Sequence, residues 1–516
     1  MKNILTILLA FTVISVNAQK KNVLLIIVDD LKPSGSGYGV NTDIITPNMD
    51  KLANSGTLFI RNYTQQAVCA PSRISFLTGT RPDVTKVWDL KTDMRTMVPG
   101  SLTLPEYFKQ QGYTTIGMGK VFHGAKNDDP QSWSMKFIKD EKLDYADGYE
   151  LPVNKAYQNQ HSRDVYNAIK ADYAHNPTGD KLWLAINKGL KAENARPAIE
   201  ALDVPDDAYA DGALANKSIA LMKQHKNSDK PFFMAVGFHK PHLPFVAPKK
   251  YWDLYDREHI PLSEFREKAE NSPNFAYHSY GEIRAYSDIP QDLGLEGLNG
   301  DVEKQKEVIH GYYASVSYVD AQIGKVLEYL KTSGLDENTV VVLLGDHGWH
   351  LGDHGVWCKH SNFEQATYTP LMIRIPGAKE GLICESPTEL LDIFPTLCDA
   401  VSIEKPESVQ GKSLLPIING EATKVKDFAI SQYPRGNRMG YSLRTERYRY
   451  VEWHKNSFRS YNDYDPANIV AVELYDYKVD PLETKSLQDD PNYKQTRDDL
   501  QDQLKEFLMS QQINNN

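Results

Sequence analysis

The stretch Cys69-Ala70-Pro71-Ser72-Arg73 carries the most unusual chemistry in the chain. Neither a disulfide nor a zinc site needs that Cys, Pro and Arg spacing. Pro71 opens a helix that Gly79 closes, so Cys69 stands at a helix start. Free amides and the helix dipole favour an anion there. Arg73 comes back onto the same helical face, ready to pair with an oxyanion. Alone, Cys69 reads as a small buried hydrophobe. The Pro and Arg spacing, together with Asp29, Asp30 and Asp346, reverses that reading. Carboxylate oxygens are the ligands that calcium or magnesium prefer. Adjacent aspartates can also cap a helix, but Asp346-His347 at the end of another apolar run weighs against that. His347 suits either a metal or a bond to substrate, and its presence does not decide between calcium and a transition metal.

These residues need a scaffold that brings them together. Val23–Val28, Tyr113–Met118, Phe232–Val236, Val340–Leu344 and Leu371–Ile375 are short apolar runs that end abruptly, as strands buried on both faces do. Helical patterns at Pro47–Asn54, Leu104–Gln111, Ala208–His225 and Val302–Lys331 alternate with them, which predicts an α/β fold. Ligands of such sheets bind beyond the carboxyl ends of the strands. The first run leads into Asp29 and Asp30, the second into Lys120 and His123, the third into His239 and His242, and the fourth into Asp346 and His347. Four such coincidences predict one convergent site. Histidines 123, 239, 242, 347, 350, 354 and 360, seven of the chain's 14, fall in these motifs, too clustered for scattered core fillers. His350 and His354 suit the rim or the orientation of neighbours.

Composition sets the outer bounds. The 516 residues suffice for one large domain and a smaller one. A net charge of -10 argues against a general nucleic-acid binder and requires a local basic pocket for any anionic substrate. Residues 1–18 read as an export signal: Lys2, an apolar stretch from Ile4 to Val16, then Val16-Asn17-Ala18 as a cleavage pattern. That stretch is shorter than the roughly 20 residues a membrane span needs. The mature protein is therefore expected in the periplasm or secreted, with no membrane span. The four cysteines are too few to be a scaffold; Cys384 and Cys398 are readable as a pair or as buried thiols, and Cys358 as packing. Segments 126–207 and 245–300, rich in Tyr, Asn, Asp and Pro, read as long insertions around the site. Residues 19–424 are assigned to a catalytic domain and 425–516 to a C-terminal subdomain. There Gly440–Trp453 and Glu473–Asp476 suggest a small antiparallel sheet and Asp490–Met509 a closing helix.

At this point the chain resembles the formylglycine-dependent sulfatases of the alkaline-phosphatase superfamily. It is most similar to the iduronate-2-sulfatase branch through Gly119-Lys120-Val121-Phe122-His123, Phe238-His239-Lys240-Pro241-His242, Asp346 to Gly352 and Trp357 to Asn362. The resemblance spans most of residues 22–420. It implies a large mixed, mostly parallel sheet between helices, alkaline-phosphatase-like, with a smaller C-terminal α+β subdomain. It also implies one calcium ion held by Asp29, Asp30, Asp346, His347 and Cys69, the last oxidised to formylglycine by a maturation enzyme. The hydrated aldehyde would attack sulfur, His239 would protonate the leaving oxygen, and Lys120, Lys359 and Arg73 would neutralise the sulfuryl oxygens. His123 would assist release of sulfate. Many sulfatases separate this lysine and histidine by one residue, whereas Val121 and Phe122 intervene here, a spacing that fits the iduronate-type branch. Lys240, His242, Trp349, His350 and His360 are the expected substrate contacts. The substrate implied is a sulfated glycan, best guessed as 2-O-sulfated uronic acid cut in exo fashion. A phosphonate or phosphodiester hydrolase of the same superfamily and a non-catalytic glycan binder are the competing readings.

Overall fold

The computed structural model describes residues 20–124, 129–172, 179–278, 281–291, 298, 300–455 and 464–513. The expected export signal lies outside them. A seven-stranded sheet forms the centre, built from β1 (Asn22–Val28), β2 (Thr57–Phe59), β3 (Thr114–Gly119), β4 (Phe232–Phe238), β5 (Thr339–Gly345), β6 (Leu371–Arg374) and β7 (Leu382–Cys384). Their order is β7-β2-β6-β5-β1-β4-β3. The four strands β5, β1, β4 and β3 are mutually parallel, whereas β6 runs antiparallel to both its neighbours.

The apolar runs are continuous because both faces of the sheet are covered. Leu24, Ile26 and Val28 face a core shared with the long helix α5 (Val302–Thr332) and with α4 (Ala210–His225). Val23, Leu25 and Ile27 face another, shared with α2 (Cys69–Thr78), α3 (Leu104–Gln110) and α6 (Ile393–Ala400). The helix α1 (Pro47–Asn54) adds Met49 and Leu52 to the first core. At roughly 25 cal/mol per Å² of apolar surface removed from water, such two-sided burial is the main force holding the four strands level.

Register then aligns the site. Val28 pairs with Phe238 on one side and Gly345 on the other, and Gly119 pairs with Gly237. The residues that follow these strands therefore emerge along one rim. A side chain at Gly237 would meet the Lys120 backbone at 2.1 Å, so this glycine permits the close approach that brings Lys120 inward.

The segment 126–207 holds more helix than its weak periodicity suggested. Helices at Gln160–Asp172 and Gly179–Ala192 pack around Ile186, Leu190 and Ala195, a small cluster of their own rather than the main core. The second insertion starts with Phe245–Pro248, a strand parallel to Ile199–Leu202. In the C-terminal part β8 (Phe428–Arg435), β9 (Arg438–Thr445), β10 (Tyr448–His454) and β11 (Ile469–Asp476) form an antiparallel sheet in sequence order. The helix α7 (Lys494–Ile513) lays Leu500 and Leu504 against it. All four cysteines are free thiols, so Cys384 and Cys398 are not paired. Among the described residues no helix is long and apolar enough to cross a membrane.

Candidate active site

The rim gathers three aspartates around the start of α2. Asp30 adopts a left-handed backbone with φ 59°, a conformation that aspartate tolerates better than most residues. Its amide donates to Asp346 Oδ1 at 3.0 Å. Arg73 is fully buried and donates from Nη2 to Asp29 Oδ1 at 2.8 Å and from Nε to Asp346 Oδ2 at 2.9 Å. Its third nitrogen bonds the carbonyls of Lys120 and Val121. This guanidinium ties two strand ends to the helix. Carboxylates and backbone carbonyls thus take four of its five N–H donors.

Lys120 pairs with Asp29 and lies 3.7 Å from Cys69 Sγ. Lys359 donates to both oxygens of Asp30, at 2.8 and 3.0 Å, and pairs with Glu282 at 3.1 Å. Left-handed backbone at Cys358 (φ 75°) and His360 (φ 71°) flanks that lysine. Cys69 is 1% exposed, and its thiol is pushed up to about 12, chiefly by burial, with Lys120 and Lys359 opposing. Burial also raises the Asp30 carboxyl well above the carboxylate range, Lys359 opposing and Asp29 and Cys69 adding to the rise.

His347 identifies what this cluster can hold. Its Nδ1 lies 3.1 Å from the Gly348 carbonyl, which can only accept, so Nδ1 carries a proton. Its Nε2 sits 3.4 Å from Asp30 Oδ1, 3.5 Å from Asp346 Oδ2 and 3.4 Å from Cys69 Sγ. Ligand atoms of Asp29, Asp30, Cys69 and His242 lie within 4.8 Å of one another, as do those of Cys69, Asp346 and His347. The three carboxylates suit a hard divalent ion, while the imidazole and sulfur suit a softer one equally.

The sequence matches the family described as "Sulfatase" over residues 21–403. The chain belongs to the sulfatase family. It is therefore a sulfuric ester hydrolase. Residues 352–510 of this sulfatase match "N-sulphoglucosamine sulphohydrolase, C-terminal". Iduronate 2-sulfatase of Homo sapiens is 33% identical over 91% of both chains. A sulfatase of Formosa agariphila is 28% identical over 89% of this chain and 84% of its own. Among solved structures, BT4656 in complex with its substrate D-glucosamine-2-N,6-O-disulfate matches with a TM-score of 0.69 at 22% identity, covering 96% of this chain and 99% of that one. The phosphonate monoester hydrolase of Silicibacter pomeroyi gives the same TM-score and identity over 95% and 96%, so the fold alone does not separate sulfur from phosphorus chemistry.

Two further rim histidines of this sulfatase, His123 and His239, are shifted in opposite directions. His123 is drawn down to about 3 by burial and the neighbouring Lys120. His239 is opposed by burial, yet Asp140 at 3.0 Å from Nε2 outweighs it and raises the ring. Asp211 accepts from the backbone amides of His239 and Lys240, both at 2.8 Å, which fixes the turn.

Several expected substrate contacts sit elsewhere. Trp349 is 1% exposed, packs edge-on against Phe245 and lies under the Lys359 ammonium, 4.9 Å from the ring centroid. His350 is fully buried, bonded to Ser361 Oγ at 2.9 Å, and lowered to about 3 by burial. Neither ring is open to a sugar. His350 lies in the short strand His350–Leu351, which pairs with Trp357–Cys358. Lys240 donates to the carbonyls of His242 and Pro244, closing its own loop. His242 and His360 do reach the rim, where Glu282 joins them to Lys359 at 3.4 and 2.9 Å. Glu282 and Asp140 were absent from the sequence expectations, because each lies in an insertion with no motif around it.

Proposed function

We propose that this enzyme is an exported, periplasmic or secreted sulfatase that removes 2-O-sulfate from a terminal uronic acid of a sulfated glycan. Residue 69 would act as formylglycine, made by a maturation enzyme. The observation that carries this reading is the gathering of Cys69 Sγ, Asp30, Asp346 and the His347 Nε2 within 4.0 Å contacts. A thiol pushed up to about 12 is a poor nucleophile in its own right, which favours conversion over direct attack by sulfur. The similarity to human iduronate 2-sulfatase supports the choice of sugar.

Asp29, Asp30, Asp346, His347 and residue 69 would hold one calcium ion. When present, the ion and the hydrated aldehyde supply charge stabilisation and an oxygen nucleophile, respectively. The chain's own side chains do the rest. Lys120 and Lys359 place two ammonium groups beside residue 69, where negative charge on a sulfuryl group would be offset. Arg73 keeps Asp29 and Asp346 at fixed separation. His123, lowered by burial, is suited to take a proton, and His239, raised by Asp140, to give one to the leaving oxygen.

The test compares three substrates: a 2-O-sulfated uronate disaccharide, an aryl sulfate and an aryl phosphodiester. The reading expects sulfate release from the first two and the highest kcat/KM on the disaccharide. A clear preference for the phosphodiester would establish the phosphonate or phosphodiester hydrolase reading instead.

A further inference from the structure

We propose that Asp140 is the positioning residue of the proton donor, acting through His239. The inference rests on the donor reading given above. Asp140 lies in the first insertion, far in sequence from every motif. It reaches the rim because the chain before it adds to the edge of the sheet: Ile138 donates to Gly117 at 3.0 Å and accepts from Gly119 at 3.2 Å. Asp140 is 3% exposed, and its Oδ1 lies 3.0 Å from His239 Nε2.

That contact fixes the tautomer. The carboxylate accepts the Nε2 proton, so the other ring nitrogen, Nδ1, is the one left to exchange a proton with substrate. Among the described residues Nδ1 has no hydrogen-bond partner, and the side chain keeps 22% exposure. The step balances simply. As the sulfur–oxygen bond to the sugar breaks, its electron pair goes to the leaving oxygen, which takes the Nδ1 proton. The ring becomes neutral, with its remaining proton on Nε2 and still donated to Asp140. The charged groups facing the ring are Asp140, Asp211 on the preceding turn of α4, and Lys155. Lys155 lies 3.8 Å from Asp140 with its side chain 63% exposed, and it weakens the charged ring from the far side.

The experiment measures pH profiles of kcat on a sulfated disaccharide and on a nitrophenyl sulfate. Asp140→Asn keeps the shape and removes the charge. It is expected to move the alkaline limb about one pH unit lower and to cut disaccharide turnover about tenfold, with the aryl sulfate within about twofold. Lys155→Gln is expected to move the same limb upward by a few tenths of a unit at most, about the scale of an exposed charge. Unchanged limbs in both variants overturn the proposal. If Asp140→Asn does not fold, Lys155→Gln decides: an upward shift supports the dyad and no shift overturns it. His239→Ala separates the two levels of failure. Equal losses on sugar and aryl sulfates would remove the donor reading itself. A loss confined to the sugar, with Asp140→Asn behaving as wild type, would remove only the role of Asp140.

Discussion

Two buried charge networks in this enzyme look alike in composition and differ in what they leave unanswered. Beneath the C-terminal sheet, Arg444 grips both oxygens of Glu364 at 3.0 and 3.1 Å, and Tyr63 adds a bond at 2.8 Å. Arg449 pairs with Glu483, which Tyr477 also contacts. Burial works against the Glu483 carboxylate, yet Arg449 outweighs it and holds the group below its ordinary range. At the rim, Arg73, Lys120 and Lys359 face Asp29, Asp30, Asp346 and Glu282, and Asp30 is held well above its range by burial. The C-terminal network joins elements and answers its own charges. The rim network also gathers ligand-type atoms of Cys69, Asp346 and His347 within 4.8 Å of one another, the spacing that binding a cation requires.

Substitutions should separate the two. The largest effect is expected from Cys69→Ser, which should reduce turnover by roughly a thousandfold or more with an unchanged melting temperature, read by sulfate release and calorimetry. Full activity in that variant would remove residue 69 from the chemistry. Asp30→Ala should follow, with about a hundredfold loss and a weakened response to added calcium in a titration of rate against the ion. A calcium response equal to wild type would break the contrast at its centre.

In the other network the sign reverses: stability falls and chemistry stays. Glu483→Gln leaves a buried guanidinium without its charge partner and should cost about 3 kcal/mol in denaturant unfolding, with activity per folded molecule unchanged. Because the folded Glu483 carboxyl is depressed, its contribution is fully present above about pH 4.3, the unfolded value, and is lost as pH falls through the folded value. Glu483→Gln should therefore show a shallower acid loss of stability than wild type. The smallest change is expected at the exposed pair Lys494–Asp498 on α7, where Lys494→Ala should alter stability by about 0.5 kcal/mol or less.

The rim was legible in the sequence because it obeys local rules. Apolar runs end where β1, β3, β4 and β5 end, and the chemistry-bearing residues follow directly. The helix bounded by Pro71 and Gly79 was legible for the same reason, with Gly79 closing it in a left-handed turn. What was not legible depends on distant contacts. Asp140 is placed by pairing at the sheet edge and Glu282 by ion pairs with Lys359 and His360, neither of which has a local signature. The burial of His350 accompanies a two-residue ladder too short to show a period. Arg73 was rightly placed on the face of Cys69, but its partners, two carboxylates from separate strands, could be found only in three dimensions.

The claim on which all of this turns is that an altered side chain at position 69 attacks sulfur. Mass spectrometry of the peptide spanning that residue, from enzyme fractions of graded specific activity, tests it directly. The aldehyde should rise in proportion to activity across the fractions. Fully active enzyme that carries only the intact thiol would contradict it.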